Sequence, residues 1–206
     1  MTEEERMVKG MLFTPHDPEL ERLKKRGHRM SEQFNALSEE DTEERYAILR
    51  ELLGEIGENN IILGPVHFHY GKHTRIGRKC FINFNFTVQD DAPVSIGNNC
   101  SIGPNVTVVT PGHPYLAEER RGIVCSDGIT RYVCYARPVT IGNDCWFGAN
   151  VTVCPGVTIG DECIIGAGSV VTKDIPPRCI AAGVPAKVIR EITEEDRIIN
   201  RFPEYR

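Results

Sequence analysis

The chain lacks the features that would place it in several large classes. It has no excess of positive charge: 24 Lys and Arg against 29 Asp and Glu leave a formal net charge of -5 over 206 residues. Nothing at whole-chain level therefore marks a surface for nucleic acid or anionic membrane. Long apolar runs are also missing. The uncharged stretch Cys145–Gly160 is broken by Gly148, Asn150, Pro155 and Gly156, and it falls short of the ~20 apolar residues of a spanning helix. Met1–Gly10 is too charged for a secretory leader. The expectation is a cytoplasmic protein with neither membrane nor nucleic acid among its partners. The eight cysteines include no CxxC pair, the spacing that zinc ribbons and redox dithiols use.

What the sequence has is a period of six. Ile141, Phe147, Val153, Ile159, Ile165 and Val171 recur at every sixth position, a spacing that fits neither a helix near 3.6 nor a strand alternating at 2. A glycine or other small residue usually follows each anchor. Four residues after each anchor stand Cys145, Val151, Val157, Cys163, Ser169 and Ile175, all small or β-branched. An apolar anchor, a tight bend and a small inward residue make the hexad of a parallel β-helix, in which each coil stacks its anchors on the coil below. Cys80, Cys100, Cys145 and Cys163 fall in that inward register, where free Cys packs as a small hydrophobe. Cys125 and Cys134 lie outside it.

Residues 1–60 contain no hexads and read as a helical cap. Thr2 with Glu5 forms a capping box, and Asp17-Pro18-Glu19 is an N-cap, an N1 proline and an acidic first turn. Leu20, Leu23, Gly27, Met30, Phe34 and Leu37 make an amphipathic stripe. A third helix starts at Ser38 or Thr42, with Ile48, Leu49, Leu52, Leu53 and Ile56 inward. The coil, assigned to 61–190, begins near Val66 and takes Tyr70, Ile76, Ile82 and Val88 as anchors, with a short insertion at Asp90–Pro93. A long insertion over 109–138 carries Gly112-His113-Pro114. An insertion that leaves the coils on both sides undisturbed must exit as a surface loop, and long loops in compact domains are usually functional. Pro176-Pro177 ends the regular coil, and 191–206 is a short helix capped by Thr193, with a tail from Phe202 to Arg206.

Three sets of residues resemble the maltose, galactoside and nodulation-factor O-acetyltransferases, the sugar branch of the hexapeptide acyltransferases. They are Gly10-Met11-Leu12-Phe13 with Asp17-Pro18-Glu19-Leu20; Asn83-Phe84-Asn85 with Asp90-Asp91 and Gly112-His113-Pro114; and Ile165–Pro176 running into Ala182–Arg190. The resemblance covers nearly the whole chain. It implies a left-handed parallel β-helix, acetyl-CoA as donor, a sugar hydroxyl as acceptor, a ternary complex, and a homotrimer with its sites between subunits.

Moving an acetyl group to a sugar hydroxyl requires a proton to leave a very weak acid. A neutral imidazole, with an ordinary pKa near ~6.5, can take it in the transition state. His113, set between glycine and proline where regular helix cannot form, is the candidate base. The resemblance assigns Asn83 to positioning the acceptor or steadying developing charge and Asp91 to holding sugar hydroxyls; we rank Asn83 above Asn85, which could equally be an inward ladder residue. For acetyl-CoA it assigns Ala149 and Ala167 along the pantetheine arm, Thr172 and Lys173 further out, and Lys187 and Arg190 towards the phosphates. Gly- and Ala-lined coils admit an extended hydrogen-bonding arm, and cations beyond them suit phosphates. Trp146 fits either a flat wall for the donor or subunit packing. His69 stands where galactoside-type members carry serine, and Gly122–Ala136 is longer than the family's usual link; both border the acceptor pocket.

Three other readings compete. His67, His69 and His73 suggest a zinc-dependent carbonic anhydrase on the same coil. A non-catalytic scaffold would have no use for Gly112-His113-Pro114 alongside Lys187 and Arg190. An antibiotic-modifying acetyltransferase is the nearest relative reading within the transferases, and against it the N-terminal helices and Asp90-Asp91 resemble the sugar branch.

Overall fold

The structure is a computed structural model that describes residues 1–205. Its core is a three-faced parallel β-helix. One face stacks Glu55–Ile56, Thr74–Ile76, Val94–Ile96, Val139–Ile141 and Thr158–Ile159; the next stacks Ile61–Ile62, Phe81–Ile82, Ser101–Ile102, Trp146–Phe147, Ile164–Ile165 and Cys179–Gly183. The third stacks Val66–Phe68, Phe86–Gln89, Thr107–Val109, Thr152–Val153 and Val170–Val171. Anchors pair with anchors across coils, as in Phe147 with Ile102 and Ile165, and Val153 with Val108 and Val171. All six anchors from Ile141 to Val171, and all six inward residues four places after them, are buried. Cys80, Cys100, Cys145 and Cys163 do pack inside; each thiol donates to a carbonyl of the adjoining coil at 3.1–3.2 Å, which satisfies the only polar atom the column carries.

The corners explain the rest of the hexad. Between the second and third faces the backbone turns through left-handed residues at Asn85, Asn105 and Asn150, a conformation that Asn tolerates better than most side chains. Their amides then bond one another, Asn85 to Asn105 at 2.9 Å and Asn105 to Asn150 at 3.0 Å. Asn85 is therefore an outward ladder residue, not an inward one.

Four expectations need correction. The coil starts at Glu55, before the boundary at 60–61: Ile56 pairs with Ile76 and Ile62 with Ile82, so Ile56, which reads as the end of a helical stripe, is a coil anchor. Tyr70 is not an anchor. Phe68 pairs with Val88 and is followed by Ile76, so two extra residues sit at the His69–His73 corner, as they do at Asp90–Pro93, and counting back by six from Ile76 lands on the wrong residue. Pro176-Pro177 does not end the coil, because Ile175 bridges to Ile159 and Cys179–Gly183 adds to the second face before folding back as the antiparallel strand Ala186–Glu191. The expected C-terminal helix is instead three short 3₁₀ turns, Glu194–Asp196, Ile198–Asn200 and Pro203–Tyr205. That segment leaves Ile198 and Phe202 exposed, and without an apolar face to bury, a short helix has little to stabilise it. Arg206 lies outside the described residues.

Three helices close the first coils: α1 (Glu3–Val8), α2 (Pro18–Asn35) and α3 (Thr42–Leu52). The capping box at Thr2 and the Asp17 N-cap with Pro18 form as the sequence indicates, whereas α3 begins at Thr42 with no side-chain cap. Met30, Phe34, Leu49, Leu52 and Leu53 join the coil core. Met7, Phe13, Leu20, Leu23 and Tyr70 form a second cluster with Ala92, Cys134 and Ala136, and this cluster fastens the cap to the corner from which the long insertion leaves.

Candidate active site

All three breaks in the hexad fall on one corner, where the third face turns into the first: His69–His73, Asp90–Pro93 and 109–138. Coil residues before and after each break keep their pairing, so the extra length is pushed out of a single edge of the prism. The first two breaks are knit together by Asp90. Buried completely, its carboxylate accepts from the Tyr70 and Gly71 amides at 2.8 and 3.2 Å, from the His73 amide at 3.2 Å and from the Thr74 hydroxyl at 2.9 Å. Thr110 ties the third to the second, donating to the Gln89 carbonyl at 2.7 Å and accepting from the Ala92 amide at 2.9 Å.

Asp91 differs from its neighbour. It is 6% exposed, and its Oδ2 is a buried polar atom with no hydrogen-bond partner. Burial, and then the charge of Asp90, hold its carboxyl up at about 6. A buried, unsatisfied acceptor is costly, and a hydroxyl donor arriving from outside would relieve it.

The long insertion is closed at its root, where Pro111–Gly112 pairs antiparallel with Tyr135–Ala136. Gly112 is needed there, because a Cβ would meet the Tyr135 ring at 2.6 Å. Beyond the root the chain forms α4 (Ala117–Arg121) and the hairpin Ile123–Val124/Thr130–Arg131. His113 is the first residue past the root and is exposed. Its Nδ1 lies 3.4 Å from the Cys134 sulfur. Cys134 is 7% exposed, and burial, with the charge of Asp91 added, pushes its thiol up to about 11; the sulfur is a neutral thiol at physiological pH.

On the same corner, α2 passes so close that a Cβ on Gly27 would meet the His69 carbonyl at 2.6 Å. The next residue, His28, consequently sits with its Nε2 3.4 Å from His69 Nδ1. Burial and then the nearby His28 depress the His69 pKa to about 4, which keeps that ring neutral. The two rings line a cleft of about 380 Å³ together with Asn35, His67, Thr87 and Gln89. His73 does not join them: its ring bonds the Asp90 carbonyl at 2.8 Å and the Glu4 carboxylate at 3.1 Å. The three histidines of the zinc reading therefore do not converge, and among the described residues no group of three or more His, Cys, Asp or Glu is placed to hold a metal ion.

Asn83, Ala149 and Ala167 occupy the corner between the second and third faces. Asn83 is half-buried, and its Oδ1 accepts from the Phe84 amide at 2.8 Å, which leaves Nδ2 as the group it can offer. Ala149 and Ala167 continue along the same corner, with Gly148 and Gly166 in the rows beside them. A Cβ on Gly148 would strike the Ala167 amide at 2.6 Å, so this column stays flat. Lys187 lies opposite Ala182 in the terminal hairpin and makes no ion pair among the described residues, whereas Arg190 is held bidentately by Asp196 at 2.6 and 2.7 Å. Thr172 and Lys173 are exposed and follow the last third-face strand, on the His113 side. In one chain Asn83 and His113 are thus separated by the third face, whose four-residue strand Phe86–Gln89 alone spans roughly 13 Å. Sequence reasoning missed Cys134, which has no periodic signal, and His28, whose signal is only that it follows a glycine on the helix stripe.

Comparison with known proteins bears on the fold and the family. Residues 6–57 match the maltose acetyltransferase hexapeptide capping motif, and residues 93–112 and 138–173 match the hexapeptide repeat of succinyl-transferase. The chain is 43% identical over 194 residues to galactoside O-acetyltransferase of Escherichia coli, covering 94% of this chain and 91% of that one. A solved galactoside acetyltransferase in complex with coenzyme A superposes with a TM-score of 0.86 at 44% identity, covering 96% and 94%. A maltose O-acetyltransferase from Clostridium difficile superposes with a TM-score of 0.85 at 37% identity, covering 94% and 99%. The fold and these relatives together define an acyltransferase built on a left-handed parallel β-helix. Within that class, the chain belongs to the maltose and galactoside O-acetyltransferase family of hexapeptide-repeat enzymes.

Proposed function

We propose that this enzyme transfers the acetyl group of acetyl-CoA to a hydroxyl of a sugar of the maltose, glucose or galactoside type, in a ternary complex formed between subunits of a homotrimer. The observation that carries the acceptor reading is the unpartnered, buried Oδ2 of Asp91 on the corner that also presents His113. A carboxylate oxygen in need of a donor is matched by a sugar hydroxyl, and a second hydroxyl of the same ring then lies within reach of the imidazole. His69, neutral beside His28, borders the same acceptor.

In this reading His113 Nε2 removes the hydroxyl proton as the oxygen attacks the thioester carbonyl. The new C–O bond forms, the tetrahedral oxyanion collapses, the C–S bond breaks, and the proton passes to the departing thiolate of CoA. Asn83 Nδ2, with its Oδ1 already committed to the backbone, is the donor for the developing charge; such a donor is worth on the order of 10²-fold in other acyl transfers. Ala149 and Ala167 form the smooth corner for the pantetheine arm. Thr172 and Lys173, on the His113 corner, reach the outer part of that arm from the facing chain, and Lys187 is the readier phosphate contact, since Arg190 must first exchange Asp196 for phosphate.

The separation of the two corners supports a shared site, in which His113 of one chain of the trimer meets Asn83 of its neighbour. The exposed outer row Ile61, Phe81 and Trp146 on the second face supplies apolar surface for that contact. The test is free thiol release from acetyl-CoA over a panel of maltose, glucose, galactosides, chitin fragments and antibiotics. Turnover with one of the sugars is expected; release with antibiotics alone, or with none of the panel, would sink the sugar reading.

A further inference from the structure

We propose that Cys134 is a positioning residue for the base, its sulfur accepting a hydrogen bond from His113 Nδ1 and thereby leaving Nε2 free to take the acceptor proton. The inference rests on the reading of His113 as base and adds a residue that neither the hexad nor the family motifs mark.

The geometry is specific. Pro111 and Gly112 pair with Ala136 and Tyr135, so His113 and Cys134 occupy the next cross-strand position, and their side chains meet at 3.4 Å. No other hydrogen bond to the His113 ring occurs among the described residues. The sulfur itself is fixed from behind. The Cys134 amide donates to the Phe13 carbonyl at 2.9 Å and the Phe13 amide donates to the Cys134 carbonyl at 3.0 Å, and Phe13 is buried in the cluster with Met7, Leu20 and Leu23. A ring whose one partner is anchored to two elements is held at a defined angle, although the ring is exposed.

The chemistry requires that partner to act on Nδ1. A neutral imidazole carries one N–H, and only the tautomer with hydrogen on Nδ1 has a lone pair on Nε2. Sulfur is a weak acceptor, but it is the acceptor present, and the same contact strengthens when the ring becomes imidazolium. A nucleophilic role suits this sulfur less well. It is 7% exposed and stays protonated well above neutral pH, whereas attacking thiols are thiolates in electropositive, accessible sites.

Cys134→Ala and Cys134→Ser are compared with the wild type by steady-state kinetics and by ¹⁵N NMR of the His113 ring. Cys134→Ala should lower kcat about tenfold or more, leave the KM for acetyl-CoA nearly unchanged, and shift the His113 signals away from the Nδ1–H form. Cys134→Ser, whose hydroxyl also accepts a hydrogen bond, should recover most of both. Wild-type kcat and tautomer in Cys134→Ala would overturn the proposal, as would equal loss in the two variants. An acetyl thioester on Cys134 after exposure to acetyl-CoA alone would overturn it too, by making the residue a nucleophile. The NMR readout needs no acetyl transfer, so a failure of the acetyltransferase reading and a failure of this one are told apart.

Discussion

The two carboxylates of Asp90-Asp91 show how differently adjacent residues of one type can be used. Asp90 satisfies four donors and holds a corner; Asp91 has an oxygen with no partner. Burial and the charge of Asp90 raise the Asp91 carboxyl to about 6, above the ~3.9 of an unfolded Asp. The folded state then prefers the protonated form. Its cost to stability is absent below about pH 4, grows between pH 4 and 6, and is complete above, on the order of 2–3 kcal/mol. Asp91→Asn should therefore unfold at a higher temperature than the wild type at pH 8 and at nearly the same temperature at pH 4, while the acceptor KM rises. Calorimetry at the two pH values checks the sign, and a difference that grows towards acid pH contradicts it. His113→Ala tests the other half of the site: kcat should fall at least ~10²-fold with CoA binding nearly intact, and retained turnover would remove His113 from the mechanism. At this scale the sequence carried motif residues such as His113 and Asp91 and was silent on their surroundings. That Asp90 is structural, or that Cys134 touches His113, depends on which corner each break in the hexad occupies, and no local pattern encodes that.

Among the elements, the regular coil was the most legible, because each hexad repeats one physical requirement and a run of six leaves little freedom. Legibility failed where the repeat was shortest. Ile56 stands in a two-residue strand beside a helix, and with no hexad before it, it reads equally well as helix stripe. Tyr70 was misplaced because a two-residue insertion shifts the phase without changing residue type. The inward anchors should carry stability accordingly. Phe147→Ala, at a fully buried position, should cost ~3–5 kcal/mol by denaturant titration, and a loss under ~1 kcal/mol would mean that the stacked core relaxes around the cavity. The long insertion should behave in the opposite way. Its root is closed by Pro111–Gly112 against Tyr135–Ala136, so replacing residues 123–131 with a short Gly-Ser turn should change stability by less than about 1 kcal/mol. Acceptor KM should shift, since the hairpin lies on the corner that carries His113 and Asp91. Unfolding on deletion would show that the hairpin supports the coil.

For the molecule as a whole, a single prism presents the proposed base, His113, and the proposed charge-stabilising amide, Asn83, on different corners. His113 leaves after the third-face strand Thr107–Val109, and Asn83 precedes the strand Phe86–Gln89 of the same face; no rotation of side chains brings them together within one chain. If the site is shared, a chain defective at His113 and a chain defective at Asn83 can each supply what the other lacks. His113→Ala and Asn83→Ala should both be nearly inactive alone. Unfolded together in equal amounts and refolded, random assembly should place an intact His113 opposite an intact Asn83 in about a quarter of the sites of a cyclic trimer, and activity should return to roughly that fraction of wild type. The double variant His113→Ala/Asn83→Ala refolded with wild-type chains controls for trapping of chains in dead trimers. Analytical ultracentrifugation of the mixture fixes the oligomer in which the recovery occurs. Recovery in a trimer requires the site to lie between subunits, whereas trimers that form fully and stay inactive would put both residues to work within one chain and oblige the corner-to-corner arrangement to be abandoned.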